Sequence, residues 1–105
     1  MHEHVLSQLE QQFADRITLL LLKFPEYRKV LTMALIHEES SSPSGYSGWR
    51  WHDVEAHPTK LIRLVAEGIA KVNFKSRQGN YYLLKDLNVV RKVLRATQPR
   101  PSDMP

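Results

Sequence analysis

Nine basic side chains fall between Pro58 and Arg95: Lys60, Arg63, Lys71, Lys75, Arg77, Lys85, Arg91, Lys92 and Arg95. Only Glu67 and Asp86 oppose them there. From Met1 to His57 the balance reverses, with five basic residues against eight acidic ones, so the net charge of +4 hides a split chain. Cations concentrated on one part of a small domain are suited to neutralising a polyanion. Two clusters have the spacing for it. Thr59, Lys60 and Arg63 sit early in a helix that Pro58 opens. There Arg63 and Thr59 both carry donors suited to the oxygens of a polyanion. Lys60 suits a phosphate, as a point charge. Lys75, Arg77, Gln78 and Asn80 surround Gly79 on a turn between two strands, a shape that can straddle a phosphate backbone or enter a minor groove. A solvated helix face explains two basic residues equally well, and lysine commonly guards a hairpin edge. Guarding accounts less well for Lys71, Lys75 and Arg77 together. Arg50, which alternates with Trp49 and Trp51, and His57, a turn residue before Pro58, complete the candidate surface.

Other chemistry finds little footing. The chain has no phosphate-binding Gly-x-x-x-x-Gly-Lys-Ser/Thr, no Gly-x-Ser-x-Gly and no His-Glu-x-x-His. His52, Asp53 and His57 lack the spacing of a helical pair, and Glu38-Glu39 after His37 reads as a solvated helix end. His2 and His4 beside the amino terminus are an incidental chelate. With no cysteine there is neither a disulfide framework nor a thiolate metal site. The expectation is a non-enzyme with no cofactor and no bound metal.

The elements follow from periodicity and punctuation. Val5, Leu6, Leu9, Phe13, Ile17, Leu20, Leu21 and Phe24 mark one face of a helix from about His4 to Lys23, and Leu19 and Leu22 widen that face near its end. Pro25 starts a second helix to about Glu38, with Tyr27, Val30, Leu31, Ala34 and Leu35 inward. Ser40 to Gly48 is loop by composition. One of Trp49 and Trp51 closes the core while the other is free to stack on a sugar, a base or a partner. A brief helix is expected over Trp51–Ala56, then a turn at His57-Pro58. The next helix, 58–67, buries Leu61, Ile62, Val65 and Ala66, and Gly68 ends it in the left-handed region. A strand follows from Ile69 to Phe74, then a turn at Gln78-Gly79-Asn80 and a return strand from Tyr81 to Leu84. Asp86 caps a last helix, Leu87–Ala96, whose inner face is Val89, Val90, Val93 and Leu94. The fold class is mostly α with a small β-hairpin, an α+β arrangement. Its organisation reads as an N-terminal helix (1–24), a main domain (25–96) and a proline-rich flexible tail (97–105). The apolar run Ile17–Leu22, flanked by Arg16 and Lys23, is far short of the roughly 20 residues a membrane span needs.

The phrase Leu64-Val-Ala-Glu-Gly-Ile-Ala-Lys-Val is similar to the step from recognition helix into hairpin in the winged helix-turn-helix superfamily of DNA-binding domains. Lys75-Ser-Arg-Gln-Gly-Asn-Tyr-Tyr resembles that family's wing tip, and Tyr82-Leu-Leu its returning strand. The resemblance covers about Pro25 to Arg95. It implies a winged helix-turn-helix with an extra N-terminal helix. Double-stranded DNA would be bound through a recognition helix (58–67) and a basic wing (74–81), in transcription regulation or in replication and repair. The alternative is a winged-helix module that binds protein. The family also implies a homodimer through the extra helix, although that helix can instead pack on its own domain. Other proteins of a DNA-processing complex are further candidate partners, and a nucleoid-associated cytoplasmic or a nuclear location fits.

Overall fold

A capping box begins the first helix: Ser7 Oγ accepts from the Glu10 amide at 3.2 Å, and Glu10 accepts from the Ser7 amide at 2.9 Å. The computed structural model describes residues 6–41 and 46–98. The elements run α1 (Gln8–Lys23), α2 (Tyr27–Ser40), α3 (Pro58–Ala66), β1 (Ala70–Ser76), β2 (Gly79–Leu84) and α4 (Leu87–Ala96). The fold is mostly helical with one antiparallel hairpin. The expected helical start at His4 and Val5, residues 42–45 of the Ser40–Gly48 loop, and the tail from Pro99 lie outside the described residues. No helix among the described residues is long and apolar enough to cross a membrane.

The core is one cluster. It joins Ala14, Ile17, Leu20 and Leu21 of α1 to Val30, Leu31 and Ala34 of α2, to Leu61 and Leu64 of α3, and to Val89, Val90 and Val93 of α4. Thus α1 packs on the rest of its own chain. The inward positions read for α2 and α4 are all buried. On α1 the seam is narrower than the periodicity suggests, because Leu9, Leu19 and Leu22 are exposed. Asp86 Oδ1 caps α4 through the Val89 amide at 3.1 Å. Arg28 of α2 closes the other end, donating to the Leu94 and Thr97 carbonyls at 3.1 and 2.9 Å. A cation on the last carbonyls satisfies orphan acceptors and complements the helix dipole.

Four expectations change. Residues 51–55 form successive turns, not a helix. Asp53 Oδ2 accepts from the Arg50 amide at 2.7 Å, and Glu55 adopts φ 52°, which halts any helical continuation. In α3 the core seam is Leu61 and Leu64, with Ile62 61% exposed and Ala66 also exposed. At about 100° per residue, a nine-residue helix seated on Leu61 and Leu64 turns Ile62 and Ala66 outward. In the hairpin the register slips between Val72 and Phe74, so Asn73 is an extra residue and Phe74 pairs with Tyr81. That β-bulge breaks the simple alternation and leaves Phe74 exposed. The turn itself is Arg77-Gln78, since Ser76 pairs with Gly79.

Gly68 (φ 75°) ends α3 as expected. The Ile69 amide reaches back to Leu64 O at 2.9 Å and the Gly68 amide to Val65 O at 3.0 Å, the paired bonds of a Schellman motif. Trp49 is fully buried and makes a two-way backbone bridge with Tyr82, adding a short third rung to the hairpin. The bridge needs Gly48, because a Cβ there would lie 2.4 Å from Tyr82 O.

Glu38 ties these parts together. Its Oε2 accepts from the Trp49 indole N–H at 2.8 Å and from the Leu84 amide at 2.7 Å. Replacing Glu38 with alanine leaves two partly buried donors unsatisfied, and we expect a loss of roughly 2–4 kcal/mol by urea denaturation. Glu38→Gln keeps an acceptor and should lose less than half of that. Glu39→Ala, which breaks a partly exposed pair with Arg91, should cost about 1 kcal/mol or less.

Candidate nucleic-acid interface

Helix α3 and the β1–β2 hairpin meet at an open groove of about 400 Å³. Trp51, Pro58, Leu61 and Ile62 form one wall, and Gln78, Gly79, Asn80 and Tyr82 the other. The groove is mainly apolar, with Gln78 and Asn80 as its polar edge. Trp51 is 45% exposed beside it, so the two tryptophans divide as expected, one in the core and one at the surface.

His57 sets the start of α3. Its Nδ1 accepts from the Thr59 amide at 3.2 Å and lies 2.9 Å from Thr59 Oγ1. The backbone of His57 is extended (φ −63°, ψ 145°), as a residue before proline must be, and Pro58 fills the first helical position. His57 is therefore the helix cap and is engaged with Thr59. Both remain exposed at the entrance of α3.

Lys60 and Arg63 do not point toward the hairpin. The Lys60 ammonium sits 3.7 Å from Glu26 Oε2 and 5.2 Å from the Tyr27 ring centre. Arg63 stacks its guanidinium 4.6 Å over Phe24 and lies beside the Tyr27 hydroxyl. Both belong to the flank of α3 that faces the α1–α2 corner. There Arg63 lines a second groove, of about 240 Å³, with Arg16, Leu19, Leu20, Lys23, Phe24 and Glu67. Sequence reading missed Arg16 and Lys23. Their signal is the seven-residue spacing, which puts both on one side of α1.

The hairpin cations stand differently. Lys75 pairs in register with Asn80, and Arg77 and Gln78 form the exposed tip. Among the described residues Lys71, Lys75, Arg77 and Lys85 have no carboxylate partner. Arg50 is apart from this group: its guanidinium lies 5.0 Å over the Tyr81 ring, and Tyr81 also meets Phe74 edge-on. Its Nε is buried without a hydrogen-bond partner. Arg50 aside, the candidate residues form three sets. Lys75, Arg77, Gln78 and Asn80 stand together on the hairpin, and Thr59 and His57 cap α3. Lys60 and Arg63 occupy the flank of α3 away from the hairpin.

The segment that carries Trp49 to Trp51 is clasped to α2. Tyr46 Oη lies 2.6 Å from His37 Nδ1, and Asp53 Oδ1 lies 4.0 Å from His37 Nε2 and 3.6 Å from His52 Nε2. Among the described residues no group of three or more His, Asp or Glu side chains is arranged to hold a metal ion. Burial pushes the Tyr46 phenol up to about 12, and the nearby carboxylates of Glu38 and Asp53 add to the rise. No family model, no curated protein and no solved structure matches this chain.

A phenol that holds its proton more tightly when folded contributes stability below its unfolded value, near 10, and loses that contribution as pH climbs toward 12. Phenolate absorbance on alkaline titration should show a late-ionising group that Tyr46→Phe removes. The same substitution should flatten the fall in stability between those two pH values. A Tyr46→Phe titration curve matching wild type apart from a group ionising near pH 10 would refute the assignment.

Proposed function

We propose that this chain is a winged helix-turn-helix domain that binds double-stranded DNA, with α3 as the recognition helix and the β1–β2 hairpin as the wing. The observation that carries the reading is the hairpin tip. Lys75, Arg77, Gln78 and Asn80 stand together there, unopposed by carboxylates among the described residues and next to the exposed entrance of α3. Basic and amide side chains on a projecting turn suit phosphate and groove-edge contacts, which fix register on a duplex. Thr59 at the second position of α3 is where a major-groove helix meets base edges, and the outward Ile62 and Ala66 suit a thymine methyl. Lys60 contributes by exchanging Glu26 for a phosphate, since an ion pair at 3.7 Å between a half-buried ammonium and an exposed carboxylate holds weakly. Roles in transcription regulation or in replication and repair both fit. A two-fold dimer through α1 would use the exposed Leu22, which lies outside the groove lined by Leu19.

One observation favours a protein-binding reading instead. Ile62 and Trp51 are exposed beside the apolar groove between α3 and the hairpin. Apolar anchors beside a preformed groove are typical of a protein contact.

Salt separates the two readings. Affinity for a mixed-sequence duplex should fall steeply between about 50 and 200 mM salt, with a log–log slope of about −0.9 per phosphate contacted. Lys75→Ala and Arg77→Ala should each weaken binding uniformly across sequences and lower that slope by about 1. A chain that leaves duplex DNA unshifted at the lowest salt would leave only the protein-binding reading.

A further inference from the structure

We infer that the groove between α1 and α3 is a second phosphate-binding site, built from Arg16, Lys23 and Arg63, which grips the DNA backbone on the flank of α3 opposite the hairpin. The inference rests on the DNA reading above and extends it to residues of α1. Three cations and one carboxylate, Glu67, line this groove, so it keeps a local excess of positive charge. Arg16 and Lys23 have no ion-pair or hydrogen-bond partner among the described residues. The Arg16 guanidinium passes over Gly68, where an added Cβ would come within 2.9 Å of Nη1. A larger residue at that position would displace it. Arg63 is held by the Phe24 face and the Tyr27 hydroxyl instead of by a carboxylate, so its charge is uncancelled and its remaining donors are available at the rim.

The spacing fits a nucleic-acid strand. Seven residues separate Arg16 from Lys23, or about 10 Å along the α1 axis at 1.5 Å per residue. Charged groups that far apart can engage separate phosphates of one strand. Leu19 and Phe24 between the cations offer an apolar bed for deoxyribose. The hairpin approaches α3 from the Pro58–Ile62 side and this groove lies on the Arg63–Glu67 side. A duplex that receives α3 in its major groove presents one phosphate strand to each.

The test uses the full chain and a mixed-sequence duplex, with binding measured across salt. Arg16→Gln with Lys23→Gln should weaken binding about tenfold or more at moderate salt and lower the log–log slope by about 2. Arg16→Lys with Lys23→Arg should keep most of the affinity. Lys92→Gln with Arg95→Gln removes the same charge from α4 and should have a clearly smaller effect. Lys23→Gln alone, at an exposed position, should lower the slope by about 1 and covers the case in which loss of Arg16 disturbs folding. If wild type binds and Lys75→Ala weakens it while Arg16→Gln/Lys23→Gln binds like wild type, the second site is wrong and the DNA reading stands. If the α1 pair and the α4 pair lose affinity equally, only long-range charge is at work and the site is again overturned. If wild type does not bind DNA at all, the reading and the site fall together.

Discussion

The Glu38 carboxylate is the constraint on which the rest of the structure depends. One oxygen takes the indole N–H of Trp49 and the amide of Leu84, two donors that come from different parts of the chain. A carboxylate accepting two short bonds in a half-buried setting is stronger than a neutral acceptor, because the bonds are charge-assisted and poorly screened. Its effect is geometric. It fixes the end of α2 against the returning strand of the hairpin, while Trp49 stacks on Tyr82 at 5.5 Å and bridges it through the backbone. With Trp49 anchored there, the turns at 51–55 can only lead out beside the hairpin, and α3 begins where they end. The placement of α3 relative to the hairpin, and so the groove between them, follows from that one polar contact at the edge of an apolar core.

Much of this was legible in the sequence where the signal is local. The helices α2 and α4 carry unbroken 3.6-residue periodicity, and Asp86 and Gly68 mark boundaries through bonds that span at most five residues. What was not legible depends on partners far along the chain. Glu38 read as a solvated end because Trp49 and Leu84 lie 11 and 46 positions away. The short helix expected over Trp51–Ala56 fails because Glu55 takes φ 52° and the chain must turn sharply before Pro58. The strand expected from Ile69 to Phe74 took no account of an extra residue at Asn73. One inserted residue reverses every side chain beyond it, and nothing in the composition of the strand marks the insertion. The Ile62 error has a similar origin, since a nine-residue helix buries only a narrow seam and sequence alone does not say which pair of apolar residues centres it.

The charge split was visible in the sequence, but its spatial meaning was not. The acidic first half does not stay apart from the basic second half. Glu26 comes to Lys60 and Glu39 to Arg91, so part of the excess cancels where the two halves pack. The cations left uncompensated among the described residues include Lys71, Lys75, Arg77 and Lys85 on or beside the hairpin, and Arg16 and Lys23 on α1. A count of basic residues therefore overstates the surface charge near Lys60 and understates it on α1, where Glu10 and Asp15 balance Arg16 and Lys23 in sum.

That distribution constrains what a partner can be. The unmatched charge borders α3 on two sides, and the strip between carries Thr59, Ile62 and Ala66, with no exposed carboxylate before Glu67. A compact anion such as a nucleotide could engage one flank and would leave the other unused. An acidic protein helix would need carboxylates along two edges and an apolar ridge between them. A duplex has that form without special design: two phosphate strands border a major groove about 12 Å wide, and its floor offers thymine methyls as well as polar edges. On the DNA reading, the outward Ile62 that departs from a simple amphipathic helix is then a contact in the groove, and the cations on either side meet the strands that enclose it.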